Sequence, residues 1–584
     1  MNTFLIIVAY GEILLWIAAL HLFFFHKGLT FAESASYALI STLMLFSFIF
    51  QIVFIMGVPE ASFFFEAILT VTAIAVLLKL REHLKSFPAI VRYVVLNQPM
   101  VFLGMFAAFS YLAFLACSTV PEIGYQDLFN KIERFGEQRT FFLQGDSQET
   151  HALFPVNTAI ISHLFLRANS QIGTGLIGFL AYLSVGFSTY ALSRRYAWPD
   201  TAFTVTIITV SLTRLVFIST TPGTEIVPAA ISLFCILAIY RALEQPDIKD
   251  MLLLGLGIFF SISDKFLYIA FPAILIILSC VIFVRRHGRV TWTSLLRKNW
   301  KISLASVIPL AVFSQSWLFA YNRFEYGHWL GSHQVASMPI HDNVLLGAVA
   351  NLVRYFFECL HLTWPLDILF NWVFNFSFNE QLLKIYTFVF LPLFGNSGAA
   401  TPFVLTWLPS GQFSWFGPFG ILLVIPAIVV SIFRAHRRLK AIAIALAGYV
   451  YIVTLVVAWM PGNAGYFTLV FTCGGFCISF LLPPWRLTTT RKKFLQVISI
   501  MLLVYVCLFN ANRPLLKWPE LFENFPTYQK IESQNPKPDY GDGTKDFLWF
   551  PALAKGGQGG FEAFLNPFPK NWSLPTHDTV GETY

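Results

Sequence analysis

An all-α bundle of membrane-crossing helices is the fold class this sequence predicts, on three observations. Of the 584 residues, 56% are apolar and only 12% are charged, more apolar surface than a water-soluble core of this size can hide. The mean hydropathy is positive, at +0.66. Apolar runs of about 20 residues recur along the chain, each enough for a helix to cross a hydrocarbon layer about 30 Å thick, and strand-like alternation is absent.

Basic residues orient the helices. They cluster in "KLREHLKSFPAIVR" (79–92), "SRR" (193–195), "RRHGR" (285–289), "FRAHRRLK" (433–440) and "RLTTTRKK" (486–493), which the positive-inside rule places in the cytoplasm. Reading outward gives about fourteen crossings, near 2–25, 34–56, 61–80, 99–119, 172–192, 200–218, 226–244, 250–263, 266–284, 301–321, 414–432, 441–460, 464–483 and 494–511. Both termini then lie outside. The first run has no cleavage site of small residues, so it reads as a retained helix.

The chain divides into N-terminal transmembrane helices (1–98), a transmembrane core (99–511) and an extracytoplasmic tail (512–584). Two long extracytoplasmic loops, 120–171 and 322–413, belong to the core and are too rich in aromatic and aliphatic residues to read as disordered. Within them "ALFPVNTAIISHLFL" (152–166) and "LLGAVANLVRYFFECLHLTW" (345–364) read as short helices on or dipping into the outer surface. A hairpin of two further crossings within 366–405 is a further option. The net charge of +8 reflects basic loops on one face rather than a nucleic-acid partner, and the seven cysteines lack disulfide or zinc spacing.

This topology collects the polar residues on the outside. In "TTPGTEIVPAA" (220–230) Glu225 opens a helix after a Pro-Gly turn, and in "SISDKFLYIAFP" (261–272) Asp264 and Lys265 occupy the turn between two helices. Charges cost about 2.5–3.5 kcal/mol each at mid-membrane, so such residues belong at helix ends or in wet cavities. The alternative reading makes Asp264 and Lys265 a solvated turn and Glu225 a helix-start residue favoured by the macrodipole. "STVPEIGYQDLFNKIERFGEQ" (118–138) adds Glu122, Tyr125 and Asp127 at the mouth of the bundle, and His151 follows. An acidic group there suits a general base for a hydroxyl, while an amphipathic surface helix over 126–135 accounts for the same charges. His151 and His361 have no second ligand at i+3 or i+4, which favours hydrogen bonding over metal ligation.

The succession of an acidic first outer loop, "HALFPVNTAIISHLFLRANSQIGTGLIGFLAYLSVGFSTYALSRRY" (151–196), "TTPGTEIVPAAISLFCILAIYRAL" (220–243) and "SDKFLYIAFPAIL" (263–275) resembles the multi-spanning glycosyltransferases of the C-type fold. These are the relatives of protein O-mannosyltransferases and of the lipid A aminoarabinose transferase. "FSWFGPFGILLVIPAI" (413–428) and "NRPLL" (512–516) are similar to segments of a bacterial branch. The resemblance implies a plasma (inner) membrane enzyme of the cell envelope. It would take a sugar from a polyprenyl-phosphate donor and pass it, with inversion, to a glycan, lipid or protein acceptor on the extracytoplasmic face. The absence of any P-loop or dinucleotide fingerprint agrees with a donor that is not a nucleotide.

By that resemblance Glu122 is the catalytic acid of the first outer loop, with Asp127 second and Tyr125 nearby. The family usually has aspartate there followed by tyrosine, whereas here a glutamate precedes Tyr125. Glu225 matches the second family acid, again glutamate for aspartate, with an acceptor-orienting or metal-holding role, and Asp264 stands beside it in that role. Lys265 matches a lysine that would hold the donor phosphate, joined by Arg214 and Arg354 unless these snorkel at helix ends. A divalent ion, magnesium or manganese, bridging carboxylates and phosphate is compatible with this set. The rival readings are a transporter or flippase of a lipid-linked saccharide, and a catalytically silent relative acting as an assembly partner. Charges stacked on one side and the lack of an internal repeat favour the enzyme.

Overall fold

The computed structural model describes residues 3–86, 99–119, 126–142, 156–326, 329, 344–360, 364–405, 414–460, 462–482 and 488–508, and is all-α over them. An isolated backbone pairing of Ala399 with Trp459 is the one extended contact among the described residues.

The first three helices are α1 (Thr3–His26), α2 (Phe31–Ile55) and α3 (Ser62–Leu80), followed by α4 (Pro99–Ser118) and the amphipathic α5 (Gln126–Gln138). Thr30 starts α2 with a capping box, its hydroxyl accepting from Glu33 N–H while the Glu33 carboxylate accepts from Thr30 N–H. α3 buries few residues of its own and is fastened by Arg167, which donates to both Glu66 carboxylate oxygens at 2.6 Å. The next helices are α6 (Gly175–Ser193), α7 (Pro199–Val210), the short α8 (Thr213–Ile218), α9 (Ile226–Glu244), α10 (Ile248–Asp264) and α11 (Ala270–His287). Further on come α12 (Val307–Ser314), α13 (Ser316–Tyr326), α14 (Val344–Leu360), α15 (Trp364–Phe374) and α16 (Phe378–Ile385). α17 (Ile425–Arg434), α18 (Arg437–Val456), α19 (Ala464–Gly474) and α20 (Thr489–Leu508) complete the described chain.

α9 is the axis of the bundle. Its apolar window is 94% buried, the most of any candidate span, because α2, α6, α10 and α19 pack around it. A helix apolar on all faces belongs in such an interior. α6 and α2 approach through small polar residues, Ser36 lying 2.5 Å from Ser188 and 3.3 Å from Ser184 across the helix pair. At the start of α6 the backbone comes closer still: a Cβ on Gly178 would lie under 3.0 Å from the Thr221 carbonyl oxygen, and one on Gly175 equally close to that of Thr220. These two glycines seat the 218–223 segment that leads into α9.

Among the described residues ten helices are long and apolar enough to cross a membrane, eleven when the bent pair 300–314 and 316–325 is one span. Each of the fourteen expected segments contains helix, and the shortfall has local causes. Residues 200–218 break at Ser211 into α7 and α8, α10 has only 17 residues, and α20 opens with Arg491, Lys492 and Lys493. α10 nonetheless runs the full length of α9, since Asp250 meets Arg241 at 3.4 Å at one end and Lys265 meets Glu225 at 3.8 Å at the other. Within 366–405, neither α15 nor the segment continuing α16 is long and apolar enough for a crossing.

The segment expected as a short helix on or dipping into the outer surface dips inward: residues 156–166 are buried, with helical turns at 159–162 and 163–166. Asn157 is the reason it can. Its side-chain amide donates to the carbonyls of Phe260 (3.1 Å) and Phe313 (3.0 Å), its carboxamide oxygen accepts from Gln51 (2.8 Å) and Gln315 (2.7 Å), and its backbone carbonyl accepts from Ser47 (2.6 Å). One side chain thus satisfies the polar ends of α2, α10 and the α12–α13 break, where Gln315 adopts φ +49°.

Asn157→Ala should lower the thermal midpoint sharply, because it removes the acceptor of the buried Gln315 amide and the donor to the Phe260 and Phe313 carbonyls, at about 1–3 kcal/mol for each buried group left unpaired. Gly178→Ala should destabilise by about 1–3 kcal/mol through overpacking against backbone that cannot yield. Thermal unfolding in detergent checks both, with the exposed Thr490→Ala as the neutral comparison.

Candidate functional site

The site is assembled from three breaks in helix. After α7 stops at Val210 the chain turns at Ser211 and restarts as α8, which puts Arg214 in the interior with none of its surface exposed. After Pro222 and Gly223 (φ +88°) the chain starts α9 with Glu225 at its N-cap, where the side chain makes no capping hydrogen bond. The end of α10 supplies Lys265. The Glu225 carboxylate is drawn to cations instead of to the helix start: Oε2 accepts from Arg214 at 2.7 Å, and Oε1 lies 3.8 Å from Lys265 Nζ.

The neighbours hold this knot in place. Arg214 also donates to the Ser414 carbonyl at 2.9 Å, and the Lys265 ammonium sits 5.5 Å from the Tyr466 ring centre. Gly465 must be glycine for Glu225 to fit, since a Cβ there would lie under 3.0 Å from the carboxylate. Glu225 and Lys265 keep 22% and 21% of their side-chain surface accessible, so the knot is reachable while Arg214 behind it is not. Burial would raise the Glu225 carboxyl, but Arg214 and then Lys265 outweigh it and hold the group below the usual carboxylate range. Burial pushes the Lys265 amine down, with Glu225 opposing and Arg214 reinforcing that shift.

A second carboxyl, Glu358 on α14, lies within the field of Arg214. Burial raises it to about 8, against the opposing effects of Trp459, Arg214 and Trp415. The Trp459 and Trp415 indoles face this carboxyl. At neutral pH Glu358 is therefore largely protonated, so Arg214 and Lys265 share the Glu225 carboxylate, with Asp264 also in the field of Lys265.

The other residues singled out in the sequence fall in different places. Arg354 is wholly buried one turn before Glu358. It donates to Tyr386 Oη (3.0 Å), Asn351 Oδ1 (2.8 Å) and the carbonyls of Ser397 (2.7 Å) and Gly395 (3.0 Å). The adjoining segment pairs with Trp459 through Ala400 N–H and Gly398 C=O, both at 2.8 Å, so Arg354 positions Trp459 and is itself engaged away from the knot. Asp264 turns to the buried 156–158 segment, accepting from Thr158 N–H at 3.0 Å and from its hydroxyl. Lys131 on α5 lies in the field of Asp264, and burial pushes its amine down to about 7. Asp127 is the second residue of α5, whose Phe129, Ile132 and Phe135 are buried; Glu122, Tyr125, His151 and His361 lie outside the described residues. No three His, Cys, Asp or Glu side chains converge as a metal set among the described residues.

The sequence alone did not mark Glu358 as a site residue. Its place beside Arg214 depends on residues more than a hundred positions apart, which no local signal encodes. The one available hint was a carboxylate and an arginine four residues apart on an apolar helix, since two such groups are retained only when something engages them.

Glu225→Gln should destabilise by about 3–5 kcal/mol, because it leaves the buried Arg214 charge without its counter-ion. For Glu358 the pH dependence has the opposite sign to that of Glu225. Between the ordinary value of 4.5 and about 8 the folded chain keeps a proton that the unfolded chain loses. Stability therefore falls as pH rises through that window, by at most about 1.4 kcal/mol per pH unit. Thermal midpoints from pH 5 to 8 should show this slope, and Glu358→Gln should flatten it.

No family model, no curated protein and no solved structure matches this chain.

Proposed function

We propose that the protein is a membrane glycosyltransferase that moves a sugar from a polyprenyl-phosphate donor to an acceptor hydroxyl, with inversion, at the Glu225 end of the bundle on the extracytoplasmic face. The observation that carries this reading is the knot in which one carboxylate faces two cations, Arg214 at 2.7 Å and Lys265 at 3.8 Å, at a partly accessible helix end. Two cations that share one carboxylate at an accessible helix end can be met by an anion, and a phosphate ester is one that also places a lipid chain along the bundle.

In the reaction a carboxylate accepts the proton of the acceptor hydroxyl as its oxygen attacks the anomeric carbon. The bond from that carbon to the phosphate oxygen breaks, and polyprenyl phosphate leaves with the electron pair. Lys265, the more accessible cation, meets the charge that grows on the leaving oxygen, and Arg214 holds Glu225 beside it. Glu122 and Asp127 are the base candidates from the first outer loop. Glu358 joins them only through its ionised fraction, since a carboxyl raised to about 8 is mostly protonated at neutral pH and its base form grows as pH rises. Among the described residues Glu225 is held by two cations and Asp264 by Thr158, so this reading has the side-chain cations receive the phosphate without magnesium or manganese.

Purified protein given a panel of polyprenyl-phosphate sugars should transfer one of them, and Lys265→Met should cut turnover by about 100-fold. Of Glu122→Gln, Asp127→Asn and Glu358→Gln, the variant that loses turnover while still binding donor identifies the base. Full transfer by Lys265→Met contradicts the assignment. Donor movement across a bilayer without transfer supports the transporter reading instead.

A further inference from the structure

The opposite end of α9 carries a second charged feature that the transferase reading does not use. α9 has 19 residues, so Glu244 stands about 28 Å from Glu225 along the axis. There a cavity of about 480 Å³ opens between the ends of α6, α9, α11 and α18, lined by Arg195, Arg286, Arg437, Arg438 and one acid, Glu244.

Glu244 is already shared, its carboxylate lying 3.2 Å from Arg195 and 3.3 Å from Arg438. Arg195 reaches in addition to Glu33 at 2.8 Å, and Arg241 behind it is taken up by Glu33 and Asp250 at 3.5 and 3.4 Å. Arg286 and Arg437 are exposed and make no ion pair or hydrogen bond among the described residues. α18 moreover begins at Arg437 with no acid in its first turn and no side-chain cap, so the positive end of a 20-residue helix adds to the same cavity. Four guanidiniums against one divided carboxylate leave a site short of negative charge. From Arg437 the exposed residues Ile444 and Tyr451 follow at intervals of seven along α18, an apolar track that starts at the cavity.

We propose that this cavity binds the phosphate of an anionic phospholipid headgroup, with an acyl chain lying along the Ile444–Tyr451 track. The arginine fork geometry suits phosphate oxygens, and the volume falls within the range of small-molecule sites. This assignment is independent of the transferase reading.

The test uses the full chain purified in an uncharged detergent, with short-chain phosphatidylglycerol, short-chain phosphatidylcholine and inorganic phosphate as probes, and equilibrium dissociation constants as the readout. Phosphatidylglycerol should bind more tightly than phosphatidylcholine and less tightly as salt is raised. Arg286→Gln and Arg437→Gln should each weaken it about fivefold, and the pair about 25-fold. Neither arginine supports the fold through a partner, so the thermal midpoint of the double variant without lipid should match the wild type. Lys265→Met, at the other end of α9, should leave the binding unchanged. Inorganic phosphate displacing phosphatidylglycerol at equal concentration would show that the anion alone is recognised and would overturn the lipid assignment. So would equal binding of the two lipids, no binding of either, or a double variant that binds like the wild type.

Discussion

The burial of the Arg214 guanidinium is the constraint on which the rest of the structure depends. A fully enclosed positive charge must be met by a carboxylate and by hydrogen-bond acceptors, and the chain supplies Glu225 at 2.7 Å and the Ser414 carbonyl at 2.9 Å. To bring those groups together, the helix expected over 200–218 breaks at Ser211 and α9 starts after a left-handed glycine. α19 approaches through Gly465, because any larger residue would occupy the carboxylate's place. Lys265 and Glu358 then sit beside a charge whose position is already determined. The irregularities at Ser211, at 222–225 and at Gly465 are the geometry of that single compensation.

The two ends of α9 manage charge differently. At the Glu225 end the ionisable groups are few and shielded, with a buried carboxyl flanked by two indoles alongside. At the Glu244 end they are numerous and partly exposed, and Glu33, Asp250 and Glu244 are shared among Arg195, Arg241 and Arg438. An enclosed knot with few partners suits a site that discriminates one bound group. A networked basic end suits a membrane-facing anchor, where several weak contacts add up.

Much of the fold was legible because long apolar runs and clustered basic residues are local signals. Each expected crossing contains helix, and the turns at 222–225 and 264–265 were readable from Pro-Gly and from charges placed between apolar runs. The proximity of Glu225 to Lys265 follows from two consecutive antiparallel crossings, which sequence order alone suggests. What could not be read is every contact made by side chains distant in sequence. Asn157 reads as one polar residue in an apolar stretch, yet it satisfies groups on α2, α10 and the α12–α13 break. Arg354 reads as a phosphate candidate, yet its donors are spent on the 395–397 turn and on Tyr386 and Asn351. The break at Gln315 carries no Pro or Gly to announce it, and is explained by its amide reaching Asn157.

The central claim is that the cations around Glu225 receive a lipid-linked phosphate. Photocrosslinking with an isoprenyl phosphate bearing a photoreactive tail, followed by mass-spectrometric mapping of the labelled peptides, tests it most directly. The account predicts labels in the segments around 220–225, 264–268 and 463–467, suppressed by unlabelled isoprenyl phosphate and lost in Lys265→Met. Labels confined to 195–196, 282–286 and 436–438, or labelling that survives Lys265→Met undiminished, would contradict it.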